Sequence, residues 1–196
     1  YDSVPLRDFE ELKDWETVIF VYQSALKQVE TKIDILNGEF QHRHKYNPIE
    51  HVKSRIKTPE SIVKKLKRHG YESSIENMVR YVNDIAGIRI SCSFTSDIYL
   101  IADMISKQND LTILARRDYM KNPKKSGYRS YHMLVTTPVF LSDSIIDTKV
   151  EIQIRTVAQD FWATLEHKMH YKFEGDGPDY ITKELRECAR SVSYTH

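Results

Sequence analysis

Residues 150–156 read VEIQIRT, and residues 117–132, shortly before them, read RDYMKNPKKSGYRSYH. VEIQIRT alternates. Val150, Ile152 and Ile154 fall on one face of a strand, and Glu151, Gln153 and Arg155 on the other. The earlier stretch gathers five Lys or Arg, three Tyr, one Pro and one Gly. That mixture suits a loop that holds phosphate oxygens by charge and stacks a base on a ring. A carboxylate on the polar face of a rigid strand, beside a polycationic loop, points to metal-assisted phosphoryl chemistry on a nucleotide.

Hydrophobic periodicity on either side predicts the remaining elements. Trp15, Ile19, Tyr22, Leu26, Val29, Ile33 and Leu36 recur at helical steps, which predicts a helix over about 9–40 that stops near Gly38. A polar connection over 41–48 and a short strand over 49–57 follow. Thr58 is a good N-cap and Pro59 a good first residue for a helix running to His69, where Gly70 closes it. The pattern then predicts a short helix over 74–82, a buried strand over 85–94, a helix over 96–107 and a strand over 111–117. Strands near 130–139 and 146–155 come after the basic loop. A helix over 157–173 carries Phe161, Leu165 and Met169 on one stripe, GDGP at 175–178 breaks it, and a last helix spans 179–193. The resulting class is α+β, a mixed β-sheet flanked by helices with helical extensions at both ends. The expected organisation is one domain over 1–196: a helical region at 1–48, a core at 49–173 and a C-terminal helix within 174–196.

Composition narrows the function. Lys and Arg number 29 against 28 Asp and Glu, a net charge of +1, whereas a protein that coats duplex DNA carries a larger basic excess. The positive charge is local, over 53–68 and 116–129, which favours a small polyanion over a long polymer. Cys92 and Cys188 lie far apart without metal-type spacing and read as reduced thiols of a cytoplasmic protein. No hydrophobic run approaches a membrane span and no signal peptide is visible, so no membrane partner is expected. The sequence opens on Tyr1 rather than Met, and a few residues are expected ahead of it.

Four stations carry candidate chemistry. In RIKTPESIVKKLKRHG (55–70), Ser61, Lys65 and Arg68 share a helix face, and Arg55 and Lys57 point the same way from an extended segment. With the helix N-terminus they make a triphosphate cradle; the competing reading is a solvated basic face. In NDIAGIRI (83–90), Asp84 stands at the mouth of a strand, where Mg²⁺ ligands often sit. Arg89 interrupts that apolar strand and needs a partner, either Asp84 or a purine. In the loop, Arg117, Lys121, Lys124, Lys125 and Arg129 offer phosphate contacts, Gly127 permits close backbone approach, and Tyr128 can stack on a base. His132 has the parity of Tyr128, while Tyr131 reads as core. Glu151 can hold a metal, take a proton from a hydroxyl, or both; alternatively it pairs with Arg155. Asp160 and His167, seven residues apart on the next helix, can line the far wall of a base pocket. His167 and His170 with Glu166 have a spacing that allows zinc, but no HExxH pattern exists and structural polar contacts are the preferred reading.

In order along the chain, RIKTPESI, NDIAGIRI, RDYMKNPKKSGYRSYH, EIQIRT and WATLEHKMHYK resemble the blocks of the RelA/SpoT synthetase domain, over residues 55–172. The chain is similar to the small alarmone synthetases, the stand-alone branch with no hydrolase domain ahead and no regulatory region behind. The resemblance implies a (p)ppGpp synthetase of the stringent response, a GTP diphosphokinase. It would move the β,γ-pyrophosphate of ATP to the 3′-hydroxyl of GDP or GTP, with Mg²⁺ as cofactor. It implies a nucleotidyltransferase-like fold and a homotetramer built by the terminal helices. By matching positions, Arg55 and Arg89 would sandwich the adenine, and Lys57, Ser61, Lys65 and Arg68 would hold the ATP phosphates. Asp84 and Glu151 would hold Mg²⁺, with Glu151 also activating the 3′-hydroxyl. Tyr128 would stack on guanine and Asp160 would face it. Arg117, Lys124, Lys125 and His132 would contact phosphates, and Gln153 would support the acceptor end. Asp160 departs from the Asn of some members, which puts allosteric activation by alarmone in doubt. Together with HKMHYK it tilts the reading to the RelP-like rather than the RelQ-like branch. Two rivals stand beside this reading. One is a single-stranded RNA-binding module in which Glu151 is structural; RNA is otherwise not required. The other is a nucleotidyl-transferring enzyme, which the lack of D-x-D disfavours.

Overall fold

The computed structural model describes residues 14–172 and 179–192. Helix α1 (Trp15–His44) begins at Asp14, whose side chain accepts the Thr17 amide at 2.7 Å. It is followed by β1 (Ile49–Ile56), α2 (Pro59–Arg68), α3 (Ile75–Tyr81), β2 (Ala86–Cys92) and α4 (Thr95–Ser106). The second half is β3 (Thr112–Asp118), β4 (Tyr131–Phe140), β5 (Ile145–Thr156), α5 (Val157–Lys172) and α6 (Asp179–Ser191). The chain therefore has the expected α+β architecture.

The five strands form one mixed sheet in the order β1-β2-β5-β4-β3, with β2 and β5 parallel and the other pairs antiparallel. Helices α1 and α4 cover its apolar face. Val18, Val21, Ala25, Val29 and Ile33 of α1 interleave with Ile88, Ile90, Val135, Ile152 and Ile154 in the main core. Burying one such aliphatic side chain stabilises the fold by about 1.5–3 kcal/mol. The other face is polar because register aligns it. Lys53 pairs with Arg89, Arg89 with Gln153, Gln153 with His132, and His132 with Arg117, a row that crosses all five strands. In the adjacent row, Arg55 faces Gly87 and Gly87 faces Glu151. Period-two alternation puts these side chains on one surface.

Three expectations change. Helix α1 passes through Gly38 and takes in residues 41–44, which were expected to be a connection; the residues expected to start it, 9–13, lie outside the described residues. Nothing lies within 4 Å of where a Gly38 Cβ would be, so the glycine sits on a solvent face, where it weakens a helix without ending it. The helix ends where Lys45 turns left-handed, at φ 51°, ahead of Asn47-Pro48. On α5, Phe161 and Leu165 face outward, and the buried residues are instead Gln159, Trp162 and Ala163. The GDGP break and residue 193 lie outside the described residues. The cap at Thr58 is as expected, accepting the Ser61 amide at 3.3 Å.

Candidate active site

The side expected to hold the donor is built by β1, β2, the turn that carries Asp84, and α2. Arg55, Asp84, Gly87, Arg89, Glu151 and Gln153 line one cleft of about 210 Å³. Asp84 is held from both sides, with Lys57 Nζ 2.9 Å from Oδ2 and Lys65 Nζ 2.7 Å from Oδ1. Burial alone would raise the Asp84 carboxyl; the Lys65 and Lys57 ammonium groups outweigh it and hold the pKa below the usual carboxylate value. The alternative Asp84–Arg89 pair does not form. Arg89 NH1 instead lies 3.5 Å from Asp160 Oδ1. Ser61 and Arg68, expected to join Lys65, are exposed and line none of the clefts described here. The Ser61 hydroxyl is taken up by Thr58, which donates to it at 3.0 Å.

Glu151 stands where two clefts meet. It lines the donor cleft, and also a second one with Asn83, Arg117 and His132. Gln153 Nε2 donates to Glu151 Oε2 at 3.0 Å, and His132 Nδ1 lies 3.7 Å from Oε1, an ion-pair distance. Burial pushes the Glu151 pKa up, as does Asp84 nearby, while His132 and Gln153 pull it down; the balance falls below the usual value. Glu151 is thus a charged acceptor at neutral pH. The alternative Glu151–Arg155 pair does not form, because buried Arg155 donates to Gln153 Oε1 at 2.8 Å and lies 3.6 Å from Asp160.

The side expected to hold the acceptor lies along the loop between β3 and β4 and along α5. Arg89, Lys124, Tyr128, His132, Gln153 and His167 are among the residues that line it. Tyr128 Oη and His132 Nε2 are 3.0 Å apart. Lys124 Nζ lies 4.8 Å from the centroid of the Tyr128 ring and the Arg155 guanidinium 5.4 Å from it, so a stacked base would displace one of these cations. Arg89 Nε, Arg155 Nε and Asp160 Oδ1 are buried without hydrogen-bond partners. The Asp160 carboxylate sits between the two guanidiniums, 3.5 Å from Arg89 and 3.6 Å from Arg155, so the three groups balance one another's charge. Lys125 points away, into a cleft beside α6. Tyr131 packs on the core, edge-on to Tyr99.

The donor set suits Mg²⁺. Two carboxylates, Asp84 and Glu151, face one cleft with cations that would hold phosphates, and Mg²⁺ is commonly held by one or two carboxylates plus substrate oxygens and water. Each Asp84 oxygen keeps a second lone pair beyond its lysine contact. For zinc, no group of three His, Cys, Asp or Glu that could hold a metal occurs among the described residues, and the His170 side chain lies outside them.

Sequence reasoning missed two features. Lys149 is buried, has the parity of Glu151, and donates to Arg80 O at 3.1 Å and to Asn83 Oδ1 at 3.0 Å. It ties β5 to the turn that carries Asp84. Burial pushes its pKa down to about 8. The alternation that flagged Glu151 extends back to Lys149 and could have found it. The second is a satellite core of Trp162, Ala163 and Ala189, against which Tyr128 packs. Trp162 Nε1 donates to Leu185 O at 2.7 Å, joining α5 to α6. No local pattern announces a contact between elements so far apart.

Comparison with known proteins agrees with this geometry. Residues 54–176 match the model of a region found in RelA / SpoT proteins. GTP pyrophosphokinase YwaC of Bacillus subtilis is 46% identical over 183 residues, covering 93% of this chain and 87% of that protein. Among solved structures, small alarmone synthetase 2 of Bacillus subtilis superposes with a TM-score of 0.84 at 45% identity, covering 93% of this chain and 94% of its own. Small alarmone synthetase 1 of the same organism, bound to its product pppGpp, gives 0.82 at 34% identity, covering 91% of each chain. With a family match over most of its length, and with the strand, loop and helix blocks of that family gathered on one sheet face, the chain belongs to the RelA/SpoT family, among the small alarmone synthetases.

Proposed function

We propose that the chain is a (p)ppGpp synthetase, transferring the β,γ-pyrophosphate of ATP to the 3′-hydroxyl of GDP or GTP. The observation that carries this reading is the position of Glu151, shared by the donor cleft and the cleft holding Arg117 and His132. A group that must touch both substrates belongs at such a junction. The 3′-oxygen attacks the β-phosphorus of ATP, the bond from that phosphorus to the α,β-bridging oxygen breaks, AMP leaves, and the hydroxyl proton passes to Glu151. Arg55 and Arg89 flank the adenine; Lys57 and Lys65 neutralise its phosphates, with Ser61 and Arg68 as outer contacts. Tyr128 stacks on guanine, Asp160 accepts from its N–H groups, and Gln153 fixes the Glu151 carboxylate. Arg117, Lys124, Lys125 and His132 meet phosphate charge. Asp84 and Glu151 would hold Mg²⁺, which when bound would supply charge neutralisation on the transferred group. Its lowered pKa makes Glu151 a weak base in isolation, so orientation and charge supply most of the rate.

The reading includes a cytoplasmic location, one domain over 1–196 with the boundaries given above, and a homotetramer. Exposed Val157, Phe161 and Leu165 lie at four-residue steps along α5, and this apolar stripe supports an oligomer that would cover it. Identity of 45% to synthetase 2 against 34% to synthetase 1 supports a chain that leans to one of two branches, which we read as the RelP-like one. No helix among the described residues is long and apolar enough to cross a membrane.

The test is incubation with labelled ATP, GDP and Mg²⁺. AMP with guanosine tetraphosphate is the expected outcome. Release of pyrophosphate would instead identify nucleotidyl transfer. No turnover, with tight and salt-sensitive RNA binding, would leave a binding module. Chelation of Mg²⁺ by EDTA should stop turnover, and excess Mg²⁺ should restore it.

A further inference from the structure

Lys149 and Glu151 stand two residues apart on the polar side of β5, about 7 Å along the strand. Glu151 faces the site, whereas Lys149 is buried and lines none of the clefts described here. Its Nζ donates to Arg80 O at 3.1 Å and to Asn83 Oδ1 at 3.0 Å. Arg80 O belongs to the last turn of α3, where carbonyls lack partners within the helix and the dipole favours a cation. Asn83 directly precedes Asp84 in the chain. The ammonium therefore grips, at two points, the turn that delivers Asp84.

Stability alone does not call for this lysine. Both partners are neutral, no acidic group acts on it among the described residues, and an ammonium buried in that way is costly. The turn is already anchored by apolar packing, with Met78, Val79, Val82 and Ile85 all in the main core. Apolar packing has no direction, whereas a hydrogen bond fixes distance and angle. What the apolar anchors leave open is therefore where Asn83 and Asp84, between Val82 and Ile85, stand relative to β5. From the other side Lys57 and Lys65 hold the Asp84 carboxylate, but on the synthetase reading they turn to phosphates when ATP binds. Lys149 lies away from the clefts, on a carbonyl and an amide oxygen, and has no phosphate to exchange them for.

We propose that Lys149 is a positioning residue for the metal site: from β5 it holds the Asn83–Asp84 turn against Glu151, so that both carboxylates can hold one Mg²⁺. The inference rests on the synthetase reading above and deepens it. One strand then supplies the first carboxylate directly and sets the second through a lysine.

The experiment uses Lys149→Met, which keeps the length of the side chain and removes its donors. Binding of α,β-methylene ATP, whose carbon bridge blocks the transfer, is measured by calorimetry with Mg²⁺ and with EDTA. In the wild type Mg²⁺ should strengthen binding. In Lys149→Met the affinity in EDTA should be unchanged while most of the gain from Mg²⁺ is lost, and the Mg²⁺ concentration that half-activates turnover should rise about tenfold. Lys149→Arg, which can still donate to both oxygens, should recover part of each. A melting curve run alongside isolates a purely structural role, which would lower Tm without moving the Mg²⁺ midpoint. If Lys149→Met does not fold, Asn83→Ala decides: it releases the turn at a half-buried position and should weaken the gain from Mg²⁺ in the same direction. An unchanged gain and midpoint in the folded variants overturns the positioning role and leaves the synthetase reading intact. A wild type without turnover at any Mg²⁺ concentration overturns that reading, and the inference with it.

Discussion

The donor and acceptor halves of the site are built by different means. On the donor side the cations stand on regular elements and come already paired, with Lys57 and Lys65 closing on Asp84 from opposite directions. On the acceptor side the cations stand on a loop, beside rings rather than acids: Lys124 lies near Tyr119 and Tyr128, and Arg155 near Tyr128. The donor half rests on the main core through β1 and β2. The acceptor half rests on a satellite core in which Tyr128 packs on Trp162, Ala163 and Ala189. A pair of lysines on one carboxylate is preorganised, and on the proposed reading it would exchange partners when phosphates and metal arrive. A cation over a ring is held weakly, by about 0.5–1 kcal/mol at exposed sites, and a stacking base can displace it. The two halves therefore differ in rigidity, and on the proposed reading the two nucleotides would enter sites held to different degrees.

The largest effect should come where the halves meet. Glu151→Gln should lower kcat by at least about a thousandfold while ATP and GDP still bind by calorimetry; near-normal turnover would remove Glu151 from the mechanism. Next, Tyr128→Ala should weaken the guanine nucleotide about tenfold or more and leave KM for ATP in place. Lys57→Met should do the reverse. If either variant damages both substrates equally, the halves are not separate. Gly127→Ala places a methyl against Ala189 and an L-residue at positive φ, which costs about 1–2 kcal/mol. A modest loss of melting temperature with a raised acceptor KM is expected; adding Ala189→Gly should return part of the KM but not the backbone strain.

Acid pH probes the donor half through Asp84. Asp84 has a lowered pKa in the fold, so its contribution to stability is present above the unfolded carboxylate pKa, about 3.9, and is lost as pH falls through the folded value. The stability gap between wild type and Asp84→Asn should close below about pH 4. A gap that persists at lower pH would mean that the lysines do not charge-stabilise Asp84. The smallest effect lies outside both halves. Cys92 is buried, its thiol pKa pushed up to about 12, while Cys188 is exposed. Native protein should take up one equivalent of iodoacetamide quickly and the second only on unfolding.

Much of the donor half was readable without coordinates. Alternation put Glu151 and Gln153 on a polar face, Thr58-Pro59 began a helix, and Asp84 stood at a strand mouth. Each is a local pattern of period two or 3.6, or a cap, and local patterns survive in a linear string. The expected cradle of Ser61, Lys65 and Arg68 was only partly right, because sharing a helix face does not say how far along the helix the cleft extends. Likewise Gly38 looked like a stop, yet α1 continued, since a solvent-facing glycine weakens a helix by only about 1 kcal/mol.

The amino-acid order alone determined which strands and helices form, which face of the central strands is apolar, and which side chains are chemically able to hold phosphate, purine or metal; the buried face of α5 it did not determine. Pairing decided the rest. Only strand register placed Lys53, Arg89, Gln153, His132 and Arg117 in one row, and only packing brought α6 against the loop, moved Arg89 and Arg155 to Asp160, and buried Lys149 against Arg80 and Asn83. The physical reason is that periodicity fixes directions within an element, whereas distances between elements depend on contacts among residues far apart in the chain, which no local pattern contains.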